Sequence, residues 1–378
     1  MREAYLDNSA TTRVCPEAAE RAVRVMTETY GNPSSLHTKG LEAERELKSA
    51  RVSVARLLSC EPREVYFTSG GTEANNLALF GAAYARRRLG NRIVTTAIEH
   101  SSVLESALEL RRQGFDVVLL PPGADGRVSE QALFDAVDDQ TILISVMLVN
   151  NELGSIQPVE AARRAVRLKK APALVHVDAV QAFGKIPVRP AKLGADLLSV
   201  SAHKIHGPKG VGALYLAKSA RILPRVFGGE QEQRLRPGTE ALPLIAGFGA
   251  AVDALPDQAE ERTQAAALRD RLLAGLEGIG GVRVNSPADG LPYILNFSVE
   301  GIRSETMLHH LASRGVYVSS GSACAKGKQS HVLEAMDYPA MRIVSALRVS
   351  FSRYNTPEDV DQLLAALKEG ANTLARSR

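Results

Sequence analysis

Cysteine is scarce in this chain. Cys15, Cys60 and Cys324 are the only three among 378 residues, and no Cys-x-x-Cys pair occurs. An odd number at long spacings excludes a disulfide framework and a zinc knuckle as the basis of the fold. A reducing compartment suits such a chain. Long apolar runs are missing too. No segment has the length of apolar sequence that spans a bilayer. The start, Met1 to Asp7, lacks the apolar core of a secretory signal. The expectation is a cytoplasmic protein with no membrane contact. Charge of one sign is also lacking, since 46 Lys and Arg stand against 42 Asp and Glu. A net charge of +4 does not call for nucleic acid. Arg86 to Arg88, Arg111 with Arg112, and Lys169 with Lys170 fall in the last turns of expected helices. Cations complement the helix dipole there, so these read as solvated helix ends and no direct nucleic-acid contact is expected.

What is present is a globular composition, 45% hydrophobic and 23% charged. The length exceeds one ordinary core and implies two domains. Over residues 64–216, short apolar runs alternate with helical patterns. The runs are Val65–Thr68, Ile93–Thr96, Val117–Leu120, Ile142–Val146, Leu174–Val177 and Leu197–Val200. Ser102 and Glu105 have the spacing of a capping box, with Gly114 closing that helix. Near-continuous Val, Ile and Leu strands spaced by helices imply an α/β fold with a mostly parallel sheet covered on both faces. Such sheets bind ligands at the carboxyl ends of their strands. After about residue 250 the alternation loosens into a smaller α+β unit.

Several of the expected strand ends carry chemistry. An apolar run closes on Ser201, Ala202, His203 and Lys204 before a glycine-rich turn. A lysine at the edge of a buried strand is costly unless its charge is used or lost. Desolvation favours the neutral amine, which condenses with carbonyl groups. Thr68, Ser69, Gly70, Gly71 and Thr72 read as strand, glycine turn and helix start, an anion site. Asp178 ends another strand, with Gln181 one turn on. His100 sits at a strand-to-helix turn and Asn151 at the next strand end. Arg348 opens an expected strand in the smaller unit, and a guanidinium fork suits a carboxylate. Each has a plainer reading alone: a solvated lysine, a helix start, an aspartate cap, a capping histidine, an edge-strand arginine. Together they meet the needs of pyridoxal 5′-phosphate. Lys204 answers its aldehyde. Thr72, Ser201 and His203 answer its phosphate. Asp178 answers its ring nitrogen, Gln181 and Asn151 its phenolic oxygen, and His100 its ring face. Asn151 is equally placed for the substrate.

Cys324 lies in a run of small and polar residues, 319–330, with Lys326 and Lys328 favouring its thiolate. Cys15 and Cys60 lack that setting and read as structural. With Asp7-Asn8-Ser9-Ala10-Thr11-Thr12, Gly31-Asn32-Pro33-Ser34-Ser35, Asn150-Asn151-Glu152, Arg236-Pro237-Gly238-Thr239 and Ser319-Ser320-Gly321-Ser322-Ala323-Cys324, the chain resembles the NifS/IscS-type cysteine desulfurases. These are class V aminotransferase-like enzymes of fold-type I. The resemblance covers essentially the whole chain. It implies a large domain over 14–255 with a mostly parallel seven-stranded sheet, and a small α+β domain from 1–13 and 256–378. It implies that Lys204, His100 and Cys324 are catalytic, and that Gly71, Thr72, His100, Asn151, Asp178, Gln181, Ser201, His203 and Lys204 bind the cofactor. Thr239 would reach the phosphate of a neighbouring subunit, so a homodimer is implied. Arg348 and Asn151 would hold the substrate, L-cysteine. Cys324 would take its sulfur, leaving alanine, and pass a persulfide to an acceptor protein in iron–sulfur cluster assembly or in tRNA or cofactor thiolation. No metal is expected. Gly71 stands where many members have alanine, and the segment after Cys324 is somewhat shorter and more basic than in housekeeping members, which leaves the acceptor open. An aminotransferase of the same fold, a selenocysteine lyase and a non-catalytic scaffold are the competing readings.

Overall fold

All six apolar runs read from the sequence form strands. In the computed structural model, which describes residues 2–321 and 329–375, they are Val65–Thr68, Arg92–Thr96, Asp116–Leu120, Thr141–Met147, Leu174–Asp178 and Leu197–Ser201. A seventh strand, Gly212–Leu216, joins them in one sheet. In space the order is 65–68, 212–216, 197–201, 174–178, 141–147, 92–96 and 116–120. The seventh strand runs antiparallel to both its neighbours, while the remaining pairs are parallel. Chain length dictates this. Only residues 202–211 separate it from the strand before, too few for the helical crossover that a parallel return needs. The strands 141–147, 174–178 and 197–201 are buried at every residue, as expected of strands covered on both faces.

Two apolar clusters lie against this sheet. One includes Phe67, Val146, Phe183 and Phe248. The other is built from Leu77, Leu79, Phe80, Ile93 and Leu143. A separate cluster, including Leu272, Phe297, Leu347 and Leu363, holds the C-terminal part together. It packs around a three-stranded antiparallel sheet, with Ile294–Val299 between Ala346–Ser350 and Val282–Val284. The chain start joins this part, because Ala4–Tyr5 pairs in parallel with Val316–Tyr317.

Two local expectations are corrected. Arg348 does not open its strand but sits at its centre, opposite Asn296. The sequence signal failed because Ser345, Ala346 and Leu347 alone cannot mark a strand start. The helix Ser101–Arg112 is not capped by Ser102. Its N-cap is His100, whose ring accepts from the Ser102 amide at 3.1 Å. Ser102 is turned inward instead, buried at 8% exposure. Gly114 follows the helix with φ +92°, as a closing glycine does. Among the described residues no helix is long and apolar enough to cross a membrane. No group of three or more His, Cys, Asp or Glu among them is placed to hold a metal.

Candidate active site

The carboxyl ends of five parallel strands open on one cavity of about 180 Å³. Its wall contains Gly71 and Thr72 from the first, His100 from the second, Asn151 from the third, Asp178 with Gln181 from the fourth, and Ser201, His203 and Lys204 from the fifth. Arg348 closes it from the other sheet.

The anion end is built by backbone. Gly70 adopts φ +149°, a conformation that side-chain-bearing residues rarely take, and it turns the chain into the helix Gly71–Arg86. Amides of that first turn, with the positive end of the dipole, face the cavity. The neighbouring strand must come close: a Cβ on Gly212 would lie 2.8 Å from Gly70 Cα and 2.6 Å from the Val200 carbonyl oxygen. Ser201 Oγ is buried here without a hydrogen-bond partner. His203 contacts Thr11 Oγ1 through Nδ1 at 3.2 Å. Burial, then the charge of Lys204, pushes its pKa down to about 3. The ring is therefore neutral at pH 7 and can donate one N–H.

The ring end is a polar chain. Asp178 Oδ2 accepts from Asn75 Nδ2 at 2.7 Å and its Oδ1 from the Val180 amide at 3.0 Å. Its reading as a cap is thus also true, since it orders the turn after its own strand. Asn75 Nδ2 also donates to Ser102 Oγ at 2.8 Å, and that hydroxyl lies 2.8 Å from His100 Nδ1. Burial lowers the pKa of His100 while Asp178 opposes the shift. The ring is held at Nδ1, leaving Nε2 for the cavity. Behind this chain Glu99 is fully buried. Desolvation lifts its carboxyl to about 8 despite bonds from the Met147 amide and Thr96 Oγ1. Asp178 adds to the rise.

Lys204 stands on a short 3-10 turn, Ala202–Lys204, directly after its strand. Its Nζ donates to the carbonyls of Ser9 and, at 2.8 Å, Ala10. Gln181 Nε2 donates to the same Ser9 carbonyl at 3.0 Å. Arg348 is 1% exposed. Its Nη1 donates to the Asn151 carbonyl at 3.0 Å and its Nη2 to Asp7 Oδ1 at 2.8 Å, while Nε has no partner. Asp7 is raised by burial, against the pull of Arg348 and Lys204.

One expected site residue is not in this cavity, and another lies outside the described residues. Thr239 is exposed and lies outside its wall; its neighbour Arg236 pairs with Glu73 at 2.9 Å. Cys324 lies outside the described residues, as do Lys326 and Lys328. The described residues on either side of that segment are tied to the cavity wall. Ser319 and Arg348 exchange backbone hydrogen bonds of 3.1 and 2.6 Å, and Ser330 Oγ donates to Glu152 Oε2 at 2.5 Å. The other thiols match a structural role. Cys15 is buried and raised by desolvation, and Cys60 is pushed up to about 12 by burial, then by Glu64 and Glu61.

The donor set fits a phosphorylated, carbonyl-bearing pyridine. It offers an unpartnered buried hydroxyl and a helix start for an anion, a carboxylate held by two donors, and an amine one turn from the anion site. The matching family model is aminotransferase class-V, over residues 4–363. The chain belongs to that family. Its cysteine desulfurase branch is indicated by the relatives. Cysteine desulfurase IscS of Methanosarcina thermophila is 43% identical over 97% of this chain and 91% of its own. Among solved structures, a NifS-like protein superposes with a TM-score of 0.93 at 40% identity, covering 99% of this chain and all of that one. A structure described as SspA in complex with cysteine matches at TM-score 0.83 and 33% identity over 93% of this chain and all of that one. Members of this family are pyridoxal phosphate enzymes, and the α/β fold with its mostly parallel sheet is theirs.

Asn75, Ser102, Ser9 and Ala10 were not among the expected site residues. Asn75 had a usable signal, being a polar residue inside the alanine- and leucine-rich helix that starts at Gly71. Ser9 and Ala10 contribute carbonyl oxygens, which no side-chain pattern reveals.

Proposed function

We propose that the protein is a pyridoxal 5′-phosphate-dependent cysteine desulfurase, converting L-cysteine to L-alanine and a Cys324 persulfide. The observation that carries this reading is the convergence of Lys204, Asp178, His100, Ser201 and Arg348 on one cavity. When bound, the cofactor supplies an electron sink that acidifies the substrate α-carbon and weakens the bond from Cβ to sulfur.

The chain's residues do the rest. Thr72, Ser201, His203 and the amides from Gly71 onward bind the phosphate. Asp178, clamped by Asn75, keeps the ring nitrogen protonated. Gln181 and Asn151 address the phenolic oxygen, and His100 covers the ring face with Nε2 free to move a proton. Lys204 would hold the aldehyde, and its amine would carry the substrate α-proton. Arg348 binds the carboxylate, for which its unpartnered Nε provides a further donor. Cys324 thiolate accepts the sulfur. A residue serving a buried cavity and an external acceptor must travel, and the small residues around Cys324 suit that task. The acceptor is a protein of iron–sulfur assembly or of tRNA or cofactor thiolation. We also infer a cytoplasmic homodimer in which Thr239 serves the partner's phosphate. Each chain would divide into a large domain of 14–255 and a small one of 1–13 and 256–378.

Incubating the cofactor-loaded protein with L-cysteine and a reductant should release sulfide and alanine in equal amounts. Both should vanish in Cys324→Ser and Lys204→Ala. Amino-group transfer without sulfide would point instead to an aminotransferase, and turnover of selenocysteine that survives Cys324→Ser to a selenocysteine lyase.

A further inference from the structure

Lys185 is a buried amine that the chemistry above does not use. It is 7% exposed and follows the turn that carries Gln181. Its Nζ donates to Gln181 Oε1 at 3.3 Å and sits 5.7 Å from the Tyr293 ring centroid. The charged groups facing it are Glu261 on the helix Gln258–Leu276 and Arg348 on the second sheet, and the titratable rings of His203 and His206, both lowered by burial, lie beside Lys204. Glu261 favours its charge and Arg348 opposes it, but burial dominates and lowers the amine to about 8. A methionine would fill the same space at no desolvation cost. The fold therefore keeps a costly group where an apolar one would pack.

Its effect falls on Gln181. A carboxamide buried in a polar wall can present either its oxygen or its nitrogen to a ligand. An ammonium has donors and no acceptor, so Gln181 must turn Oε1 toward Lys185. Nε2 is then committed to the opposite side. Nε2 donates to the Ser9 carbonyl at 3.0 Å, and the Gln181 side chain lines the cavity. We propose that Lys185 is a positioning residue that locks the Gln181 carboxamide with its donor end toward the phenolic oxygen of the cofactor. This rests on the cofactor reading given above.

A donor on that oxygen makes it less basic, and so lowers the pH at which the linkage between cofactor and Lys204 loses its proton. The test is a spectrophotometric pH titration of the cofactor-loaded enzyme, in wild type, Lys185→Met, Lys185→Arg, Gln181→Ala and the double variant Lys185→Met/Gln181→Ala. Lys185→Met should raise the apparent pKa of the visible band by about one unit. Lys185→Arg, a donor-only cation, should stay near wild type. The double variant should match Gln181→Ala alone, since Lys185 acts through the carboxamide. An unshifted pKa in Lys185→Met, or additive shifts in the double variant, would overturn the proposal. A wild-type chain that takes up no cofactor and develops no visible band would overturn the function reading and this inference with it, a result distinguishable from either.

Discussion

Asn75 shows how one residue can control a site it only borders. Its amide nitrogen holds both Asp178 and Ser102. Losing a hydrogen bond to a buried carboxylate typically costs about 1–3 kcal/mol. Asn75→Ala should therefore weaken cofactor affinity by roughly tenfold or more, measured by equilibrium titration with pyridoxal 5′-phosphate. Glu99 invites a second test. Its carboxyl titrates near 8 in the fold and near 4.3 when unfolded. A raised carboxyl contributes stability that is complete at low pH and is lost as pH climbs between those values, by about 1.4 kcal/mol per unit from one group. Glu99→Gln cannot ionise, so its unfolding midpoint in urea should gain on wild type steadily from pH 5 to pH 8. Depressed histidines act in the opposite direction. His176, buried between the Ser145 and Ser199 hydroxyls and lowered to about 3, stays neutral while the unfolded chain takes up a proton near 6.5. Its contribution is complete above that pH and erodes as acid is added below it.

At the scale of elements, the turn at Gly70 links fold to chemistry. Its φ of +149° is one that side-chain-bearing residues rarely adopt, and at Gly212 a Cβ would run into Gly70 and the Val200 carbonyl. Gly70→Ala should cost roughly 1–3 kcal/mol in stability and disturb the amides that bind the phosphate, so inorganic phosphate should compete with the cofactor less well than in wild type. The elements were largely legible in the sequence. Runs such as Ile142–Val146 are apolar but for Ser145 because both faces are buried, and that pattern is visible without coordinates. Gly212–Leu216 was harder. It is bounded by glycine, and its reversed direction follows from the length of the preceding loop rather than from its own residues. The cap at His100 was misread because a Ser-x-x-Glu spacing is a local signal, whereas Ser102 is drawn inward by Asn75, 27 positions away in the chain. Arg348 was found for its chemistry but misplaced in its strand, since only the pairing with Ile294–Val299 defines where that strand begins.

For the whole molecule, the proposed homodimer would set the exposed Thr239 of one copy at the phosphate of the other. Sedimentation should give about twice the chain mass of 40.6 kDa. Mixing Thr239→Ala chains with Lys204→Ala chains should recover part of the activity that each lacks, since a hybrid would contain one intact site. Two inactive variants whose verified hybrids show no recovery would mean that Thr239 serves the site of its own chain, and a fully active Thr239→Ala chain would place it outside the reaction. Finally, the contact between Asp7 and Arg348 joins positions 341 residues apart, and the carbonyls that hold Lys204 also come from the chain start. A ribosome must therefore deliver the chain from Asp7 through Arg348 before the pocket exists. Vitamin capture belongs after synthesis, and a nascent chain stalled before the final strand should remain colourless however much of the large sheet has already formed.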